Sequence, residues 1–233
     1  VCSGNWKDEL WLVAGGIFGG SLYFFTENTA LGITQASNVS FIICTAPLLT
    51  TILSLLFYKS EKASKGLIYG SLLALMGVGL IVFNGSFVLK ISPIGDLLTL
   101  LAALSWAFYS LIIKKMAGRY PTVFITRKIF FYGVLTILPA FLLHPLQPDA
   151  AVLLQPGVLF NLLFLAVLAS LICYVLWNVV LKQLGTVRAS NYIYLNPLVT
   201  MIASSLILDE KITLVALGGA ACIVCGVYWA EKK

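Results

Sequence analysis

Glu27 is the residue with the clearest capacity for chemistry, because it is an ionisable side chain within an apolar segment. Tyr23 precedes it by four residues, which places both side chains on one face of a helix. A carboxylate is costly in hydrocarbon and is therefore a functional candidate. The pattern indicates a group that binds a cation or exchanges a proton. If the helix instead ended by Phe25, Glu27 would lie in the outer headgroup region.

Two further helix faces combine aromatic and neutral polar side chains. Tyr174, Trp177 and Asn178 fall at positions i, i+3 and i+4, on a single face. In another segment Ser105 and Tyr109 share a face, and Trp106 is offset from them by about 100°. We expect these residues to line a substrate cavity, with packing or an interfacial aromatic belt as the alternative.

The composition places these faces in a membrane. The 233 residues are 60% hydrophobic and 10% charged, with a mean hydropathy of +0.99. A soluble domain has about 25% charged residues, so that class is excluded. The formal net charge of +6 comes from residues between apolar runs, which indicates no nucleic-acid surface.

Neither a cofactor nor an enzymatic centre is predicted. A single histidine, His144, gives no metal constellation, and the phosphate-binding pattern GxxxxGK[ST] does not occur. A membrane enzyme would need a nucleophile, a base or metal ligands grouped near a surface, and no carboxylates are clustered. Cys222 and Cys225 form a CxxC motif inside an apolar helix, where they are expected to act as small apolar side chains.

Eight segments are long and apolar enough to cross a hydrocarbon core of roughly 30 Å. They are residues 10–29, 36–58, 66–84, 96–114, 122–143, 157–182, 188–208 and 212–229. The sequence therefore predicts an all-α polytopic membrane protein.

The basic residues give this protein an orientation. If the amino terminus is cytoplasmic, thirteen basic residues fall on the inner side and two, Lys90 and Lys211, on the outer side. The inner set is Lys7, Lys59, Lys62, Lys65, Lys114, Lys115, Arg119, Arg127, Lys128, Lys182, Arg188, Lys232 and Lys233. Because Lys and Arg concentrate in cytoplasmic loops, both termini are predicted to be cytoplasmic. Arg127 and Lys128 lie within a span, where they either snorkel to the inner surface or line the cavity for an anion.

One pattern occurs twice along the chain. The first copy contains Gly32, Ala36-Ser37-Asn38, Pro47-Leu48, Thr50, Ser54, Glu61-Lys62, Gly70 and Gly77-Val78. The second contains Gly185, Ala189-Ser190-Asn191, Pro197-Leu198, Thr200, Ser204, Glu210-Lys211, Gly219 and Gly226-Val227. A repeat of this kind is a sign of fold architecture. Under it, Tyr23 aligns with Tyr174 and Glu27 with Asn178.

The two copies run in opposite directions through the membrane, because they start in the second and the seventh predicted spans. Inverted repeats of this kind are typical of secondary transporters, whose substrate site lies between the repeats near the membrane midplane. Residues 89–233 would form a complete unit of five helices, and residues 1–88 would form the last three helices of the other. We therefore expect a parent protein of ten helices, of which two precede Val1.

The repeated positions supply further candidates. Asn38 and Asn191 begin their spans and could be residues of two opposed gates, or helix caps. Tyr194 and Asn196 belong to the same predicted cavity. Pro47 and Pro197 remove a backbone donor within a span, and we expect each to bend its helix and to serve gating.

These residues resemble the EamA-like branch of the drug/metabolite transporter superfamily. Gly95-Asp96 followed by Leu104-Ser105-Trp106-Ala107 and Lys114-Lys115 is similar to the start of an EamA-like half, and the segment from Ala189 through Asn196-Pro197 to Glu210, Gly219 and Gly226 is similar to its end. The resemblance covers essentially the whole chain. It implies ten helices, a cavity that opens alternately to each side, and export of small metabolites across the bacterial inner membrane.

The sequence therefore predicts a metabolite or drug exporter, with an amino acid or aromatic metabolite as the expected solute. Its partners would be the lipid bilayer and a small molecule, with proton coupling or homodimer formation both compatible with the pattern. A non-transporting membrane accessory protein is the alternative function.

Overall fold

The computed structural model describes residues 4–58, 64–83, 92–143, 150–208 and 212–232. Glu61 and Glu210 of the repeat, His144, and the predicted boundary between residues 88 and 89 lie outside these ranges. Every regular element within the described ranges is helical.

The helices follow one another with short connections. They are α1 Trp6–Gly16, α2 Leu22–Ile33, α3 Ala36–Ile43, α4 Ala46–Phe57, α5 Lys65–Phe83, α6 Pro93–Ala117, α7 Thr122–Leu143, α8 Ala150–Leu153, α9 Pro156–Leu163, α10 Cys173–Leu184, α11 Thr186–Asn191, α12 Asn196–Leu208 and α13 Leu214–Glu231. Two π-helical segments, Ile17–Ser21 and Phe164–Ile172, join α1 to α2 and α9 to α10, and a 3₁₀ turn, Tyr192–Leu195, joins α11 to α12.

Six helices in the described ranges are long and apolar enough to cross a membrane. They are Ala36–Phe57, Lys65–Phe83, Pro93–Ala117, Thr122–Ala140, Pro156–Leu184 and Leu214–Glu231. The chain is thus an all-helical, multi-pass membrane protein. The other two predicted spans are also helical, but the first includes Glu27 and a run of glycines, and the seventh is divided by the 3₁₀ turn.

Two of the membrane helices are broken in the same way. The break between α3 and α4 lies at Cys44 and Thr45, and Pro47 is the second residue of α4. The 3₁₀ turn lies between α11 and α12, and Pro197 is the second residue of α12. Proline is tolerated in the first turn of a helix, where its missing N–H would have no partner. Each proline therefore begins the second piece of a broken helix instead of bending a continuous one.

Glycines bring the first segment close to its neighbours. Gly19 lies directly against the ring of Tyr109 on α6, and Gly16 lies over the backbone of α7, where an added Cβ would be 2.6 Å from the Cβ of Tyr132. The absence of a side chain lets membrane helices approach closely. Glycines such as Gly16 and Gly19, in and before the π-helical segment, thus allow α1 and α2 to pack closely against α6 and α7.

Among the described helices, α5 and α13 have the most extensive contact, and both helices have glycines at the crossing. A Cβ on Gly219 would be 2.7 Å from the carbonyl oxygen of Gly77 and 2.9 Å from the Cγ1 of Ile81. Gly218, the preceding residue, has no atom of another residue within 4 Å of an added Cβ. An added Cβ on Gly70, Gly77 or Gly226 would likewise lie 2.5–2.6 Å from the facing helix, so Gly219 is one of several glycines that allow this separation.

The Gly219→Ala substitution is expected to destabilise the protein by about 1–3 kcal/mol, because the added methyl group forces the α5–α13 backbones apart. Gly218→Ala is the matched control. It adds the same atom on the open side of the same helix, where alanine is the better helix former. Thermal unfolding in detergent should give a lower midpoint for Gly219→Ala and an unchanged or higher midpoint for Gly218→Ala. Equal midpoints for the two variants would show that the crossing is looser than described.

Candidate functional site

Glu27 is joined to Tyr23 by a hydrogen bond along α2. The Tyr23 hydroxyl donates to the Glu27 Oε1 at 2.9 Å. Glu27 is half-buried, and α2 continues past it to Ile33. The helix therefore does not end by Phe25, and the carboxylate is presented from within a helix.

The carboxylate lies at the wall of a large cavity. The cavity has a volume of about 550 Å³ and is enclosed by α2, α3, α12, α13 and the end of α5. Its polar wall residues include Glu27, Ser37, Ser40, Asn196 and Thr200, and its apolar ones include Ile43, Val82 and Met201. The cavity can therefore hold a small molecule with both polar and apolar parts.

An aromatic cluster lies behind Tyr23, centred on Trp106 of α6. The Trp106 ring centroid is 5.1 Å from that of Tyr23, 5.2 Å from Tyr109, and 5.8 Å from each of Tyr174 and Trp177. These tilted and edge-on arrangements are the ones that aromatic pairs prefer. The structure thus brings together residues predicted on three separate helix faces.

Two indole donors in this cluster are buried with no hydrogen-bond partner among the described residues. They are the Nε1 atoms of Trp106 and Trp177. Most buried polar side-chain atoms have a partner, and an indole N–H can only donate. The cluster therefore retains two donors that could bind an acceptor.

The other aromatic and amide groups are occupied by contacts between helices. The Tyr109 hydroxyl donates to the Asn178 Oδ1 at 2.7 Å, and the Asn178 Nδ2 donates to the Thr126 Oγ1 of α7 at 2.8 Å. The Tyr174 hydroxyl donates to the Gly19 carbonyl oxygen at 2.7 Å, and the Ser105 Oγ donates to the Phe18 carbonyl oxygen at 2.9 Å. Tyr109, Asn178, Tyr174 and Ser105 are buried, and their polar groups connect α6, α7, α10 and the π-helical segment Ile17–Ser21.

The two asparagines of the repeat lie inside the protein. Neither stands at the N-cap, which is Gln35 for α3 and Gly185 for α11. Asn38 is 2% exposed and Asn191 is fully buried. The Asn191 Oδ1 accepts from the Ser71 Oγ at 3.4 Å, and its Nδ2 has no partner in the described ranges. Capping therefore does not explain either residue.

Tyr194 and Asn196 flank the 3₁₀ turn but differ in exposure. Tyr194 is fully buried against Cys44, Val78 and Ile223. Asn196 faces the cavity together with Pro197. Of the predicted site residues, only Glu27, Asn196 and Pro197 therefore lie on the cavity wall.

The other ends of the broken helices are in contact. α11 packs against α4. Thr50 and Ser54 of α4, and Thr186 and Ser190 of α11, are fully buried. The hydroxyls of Thr50, Thr186 and Ser190 have no hydrogen-bond partner among the described residues. The bundle is thus open between α3 and α12 and closed between α4 and α11.

Sequence reasoning missed a charged network at the start of α1. Asp8 accepts from the Arg119 Nη1 at 2.7 Å and from the Tyr120 hydroxyl at 3.0 Å. Glu9 accepts from Lys128 and from the Tyr132 hydroxyl. The only sign of this network in the sequence was the adjacent pair Asp8 and Glu9, together with basic residues in other segments. Lys128 is therefore an ion-pair partner of Glu9, whereas Arg127 lies over the Phe124 ring, 5.7 Å from its centroid.

Comparison with known proteins supports the helical fold described above. A chain in a crystal structure superposes with a TM-score of 0.81 at 19% identity, over 97% of this chain and 76% of that one. An uncharacterized transporter of Archaeoglobus fulgidus is 25% identical over 98% of this chain and 80% of its own length. A probable amino-acid metabolite efflux pump of Salmonella typhimurium is 29% identical over 74% of this chain and 60% of its own length.

The model of one family covers nearly the whole chain. The EamA-like transporter family matches residues 3–83 and 93–230. The family and the names of these relatives indicate a membrane transporter and not an enzyme. The residues quoted above for the resemblance thus identified the family correctly: this chain belongs to the EamA-like transporter family.

Proposed function

We propose that this protein is a secondary transporter that exports small amine-bearing metabolites, such as amino acids, across the bacterial inner membrane by alternating access. The observation that carries the proposal is the Glu27 carboxylate, which Tyr23 orients at the wall of a cavity of about 550 Å³. The proposed parent has ten helices in two inverted units, of which this chain supplies eight, with the units meeting between residues 88 and 89.

The matching breaks in two helices support the inverted repeat. α3 and α4 are separated by a short break with Pro47 immediately after it, and α11 and α12 are separated by the 3₁₀ turn with Pro197 immediately after it. A broken helix can change the angle between its two pieces without unfolding either one. Each pair is thus a hinge at which one side of the cavity can close.

The difference between the two sides supports alternating access. With both termini cytoplasmic, the cavity between α3 and α12 opens toward the outer side, and the α4–α11 contact closes the inner side. The hydroxyls of Thr50 on α4 and of Thr186 and Ser190 on α11 are buried without partners among the described residues. Leaving a buried polar group unpaired costs about 1–3 kcal/mol, so separating α4 from α11 and admitting water would relieve that cost.

The wall chemistry supports an amine-bearing solute. Glu27 can pair with an ammonium group, and Ile43, Val82 and Met201 can contact an apolar side chain. The unpaired indole N–H groups of Trp106, which packs against Tyr23, and of Trp177, which packs against Trp106, could donate to a substrate carboxylate once a helix shift exposes them. Two relatives are named as probable amino-acid metabolite efflux pumps, which agrees with this class.

Glu27 also gives the proposal a coupling mechanism. When the cavity closes around Glu27 and excludes water, the carboxylate must be neutralised or paired. A proton and a substrate ammonium would compete for the same oxygen atoms. Exchange of one for the other would link outward substrate movement to inward proton movement.

The Glu27→Gln substitution is expected to lower transport at least tenfold, because the amide neither pairs strongly with an ammonium nor exchanges a proton. The assay is the exchange of a labelled amino-acid mixture by the full-length protein in proteoliposomes, with and without a proton gradient. Asn28→Ala, on the exposed side of the same turn, should transport normally. Wild-type transport that Glu27→Gln leaves unchanged would remove the carboxylate from the mechanism. No transport of any solute by wild-type protein would favour the accessory role.

Cysteine labelling tests which side is open. In a cysteine-free background, Ser40→Cys should react with an impermeant maleimide added outside intact cells, because Ser40 is exposed on the cavity wall. Ser190→Cys is the matched control and should remain unlabelled, since Ser190 is fully buried at the α4–α11 contact. Outside labelling of Ser190→Cys with protection of Ser40→Cys would contradict the proposed orientation.

A further inference from the structure

We propose that a groove between α1, α4 and α6, separate from the substrate cavity, binds one anionic phospholipid of the inner leaflet. The groove has a volume of about 440 Å³. None of the residues that line it also lines the cavity beside Glu27. The assignment of the groove to the inner leaflet follows the orientation proposed from the basic residues.

The body of the groove fits an acyl chain. Its walls are mainly apolar and include Ala14 and Phe18 of the first segment, Phe57 of α4, and Phe108 and Leu111 of α6. Phe57 is 65% exposed, so the groove opens at the surface of the described helices. An apolar slot that opens laterally favours a lipid tail over a water-soluble ligand.

The rim of the groove carries two lysines. The Lys114 Nζ lies 4.2 Å from the centroid of the Tyr58 ring, and the Lys115 Nζ lies 3.7 Å from the centroid of the Trp11 ring. Tyr58, Trp11 and Lys115 all line the groove. Both ammonium groups are therefore held by the aromatic walls of the slot, next to its opening.

The position of this rim specifies the headgroup. Trp and Tyr concentrate at the level of lipid headgroups, and clustered lysines at the cytoplasmic side attract anionic lipids. Two cations at the end of an apolar slot match a phosphate group joined to an acyl chain. A zwitterionic lipid would fill the slot equally well but would gain less from the lysines.

The groove also connects the lipid to the helix pair that closes the inner side. Phe57 and Tyr58 lie at the end of α4, and α4 packs on α11 as well as on α6. A bound lipid would hold this end of α4 against α6. We therefore expect the lipid to stabilise the described arrangement of the helices.

Native mass spectrometry of the full-length protein in detergent tests the proposal, with dioleoylphosphatidylglycerol and dioleoylphosphatidylcholine as the two probes. Wild-type protein should bind one phosphatidylglycerol more tightly than phosphatidylcholine. Lys114→Gln and Lys115→Gln should each weaken phosphatidylglycerol binding roughly fivefold and leave phosphatidylcholine binding unchanged. Lys182→Gln, an exposed inner-side lysine away from the groove, is the matched control and should change neither.

A second set of variants tests the slot itself. Ala14→Phe fills the groove and should weaken binding of both lipids, while glycerol 3-phosphate, which lacks acyl chains, should not compete with phosphatidylglycerol. Phe57→Ala, which removes an exposed wall of the groove, is the alternative variant if Ala14→Phe does not fold, and it should also weaken binding of both lipids. Equal affinity of wild-type protein for the two lipids, or an equal loss with Lys182→Gln, would overturn the headgroup assignment. Competition by glycerol 3-phosphate, or unchanged binding in both slot variants, would overturn the acyl-chain assignment.

Discussion

The arrangement of this bundle depends on the fact that hydrocarbon offers no hydrogen-bond partner to a polar group. A polar side chain within a span therefore depends on the protein for its partner, either on its own helix, as for Thr99, or on another one. The Tyr109 hydroxyl, the Asn178 amide and the Thr126 hydroxyl form such a series, with distances of 2.7 Å and 2.8 Å, and connect α6, α10 and α7. Tyr174 of α10 adds a further connection, because its hydroxyl donates to the Gly19 carbonyl oxygen in the π-helical segment Ile17–Ser21. The glycine run is what allows the backbone there to come within reach.

The predicted repeat aligns Tyr23 with Tyr174 and Glu27 with Asn178, but the two pairs differ in their hydrogen bonds. Tyr174 and Asn178 are buried and occupied by helix-to-helix hydrogen bonds. Tyr23 and Glu27 bond only to each other in the described structure, and Glu27 faces the cavity. Of the two pairs that the predicted repeat aligns, one therefore forms contacts between helices and the other faces the cavity. The substitution of a carboxylate for an amide at one of two aligned positions is what gives the cavity its charge.

The sequence was sufficient for the features that depend on local pattern. The apolar segments, the Pro-containing repeats and the motifs that resemble the family can be read along the chain. The structure confirms six of the apolar segments as helices long enough to cross a membrane, and the family match confirms the resemblance. Pairing between distant residues could not be read in this way. Nothing local indicates that Asp8 binds Arg119, or that Trp106 is surrounded by Tyr23, Tyr174 and Trp177. Such contacts follow from how the helices cross, and glycine positions restrict that crossing without specifying it.

The central claim is that the two ends of the cavity open in alternation, and distances between spin labels test it most directly. One labelled pair would join Ser37 on α3 to Val199 on α12, and a second pair would join Leu56 on α4 to Arg188 on α11. Across a series of amino acids, amines and pH values, the account predicts a population in which the first distance shortens while the second lengthens. Distances that stay fixed under every condition, or that lengthen together, would contradict it.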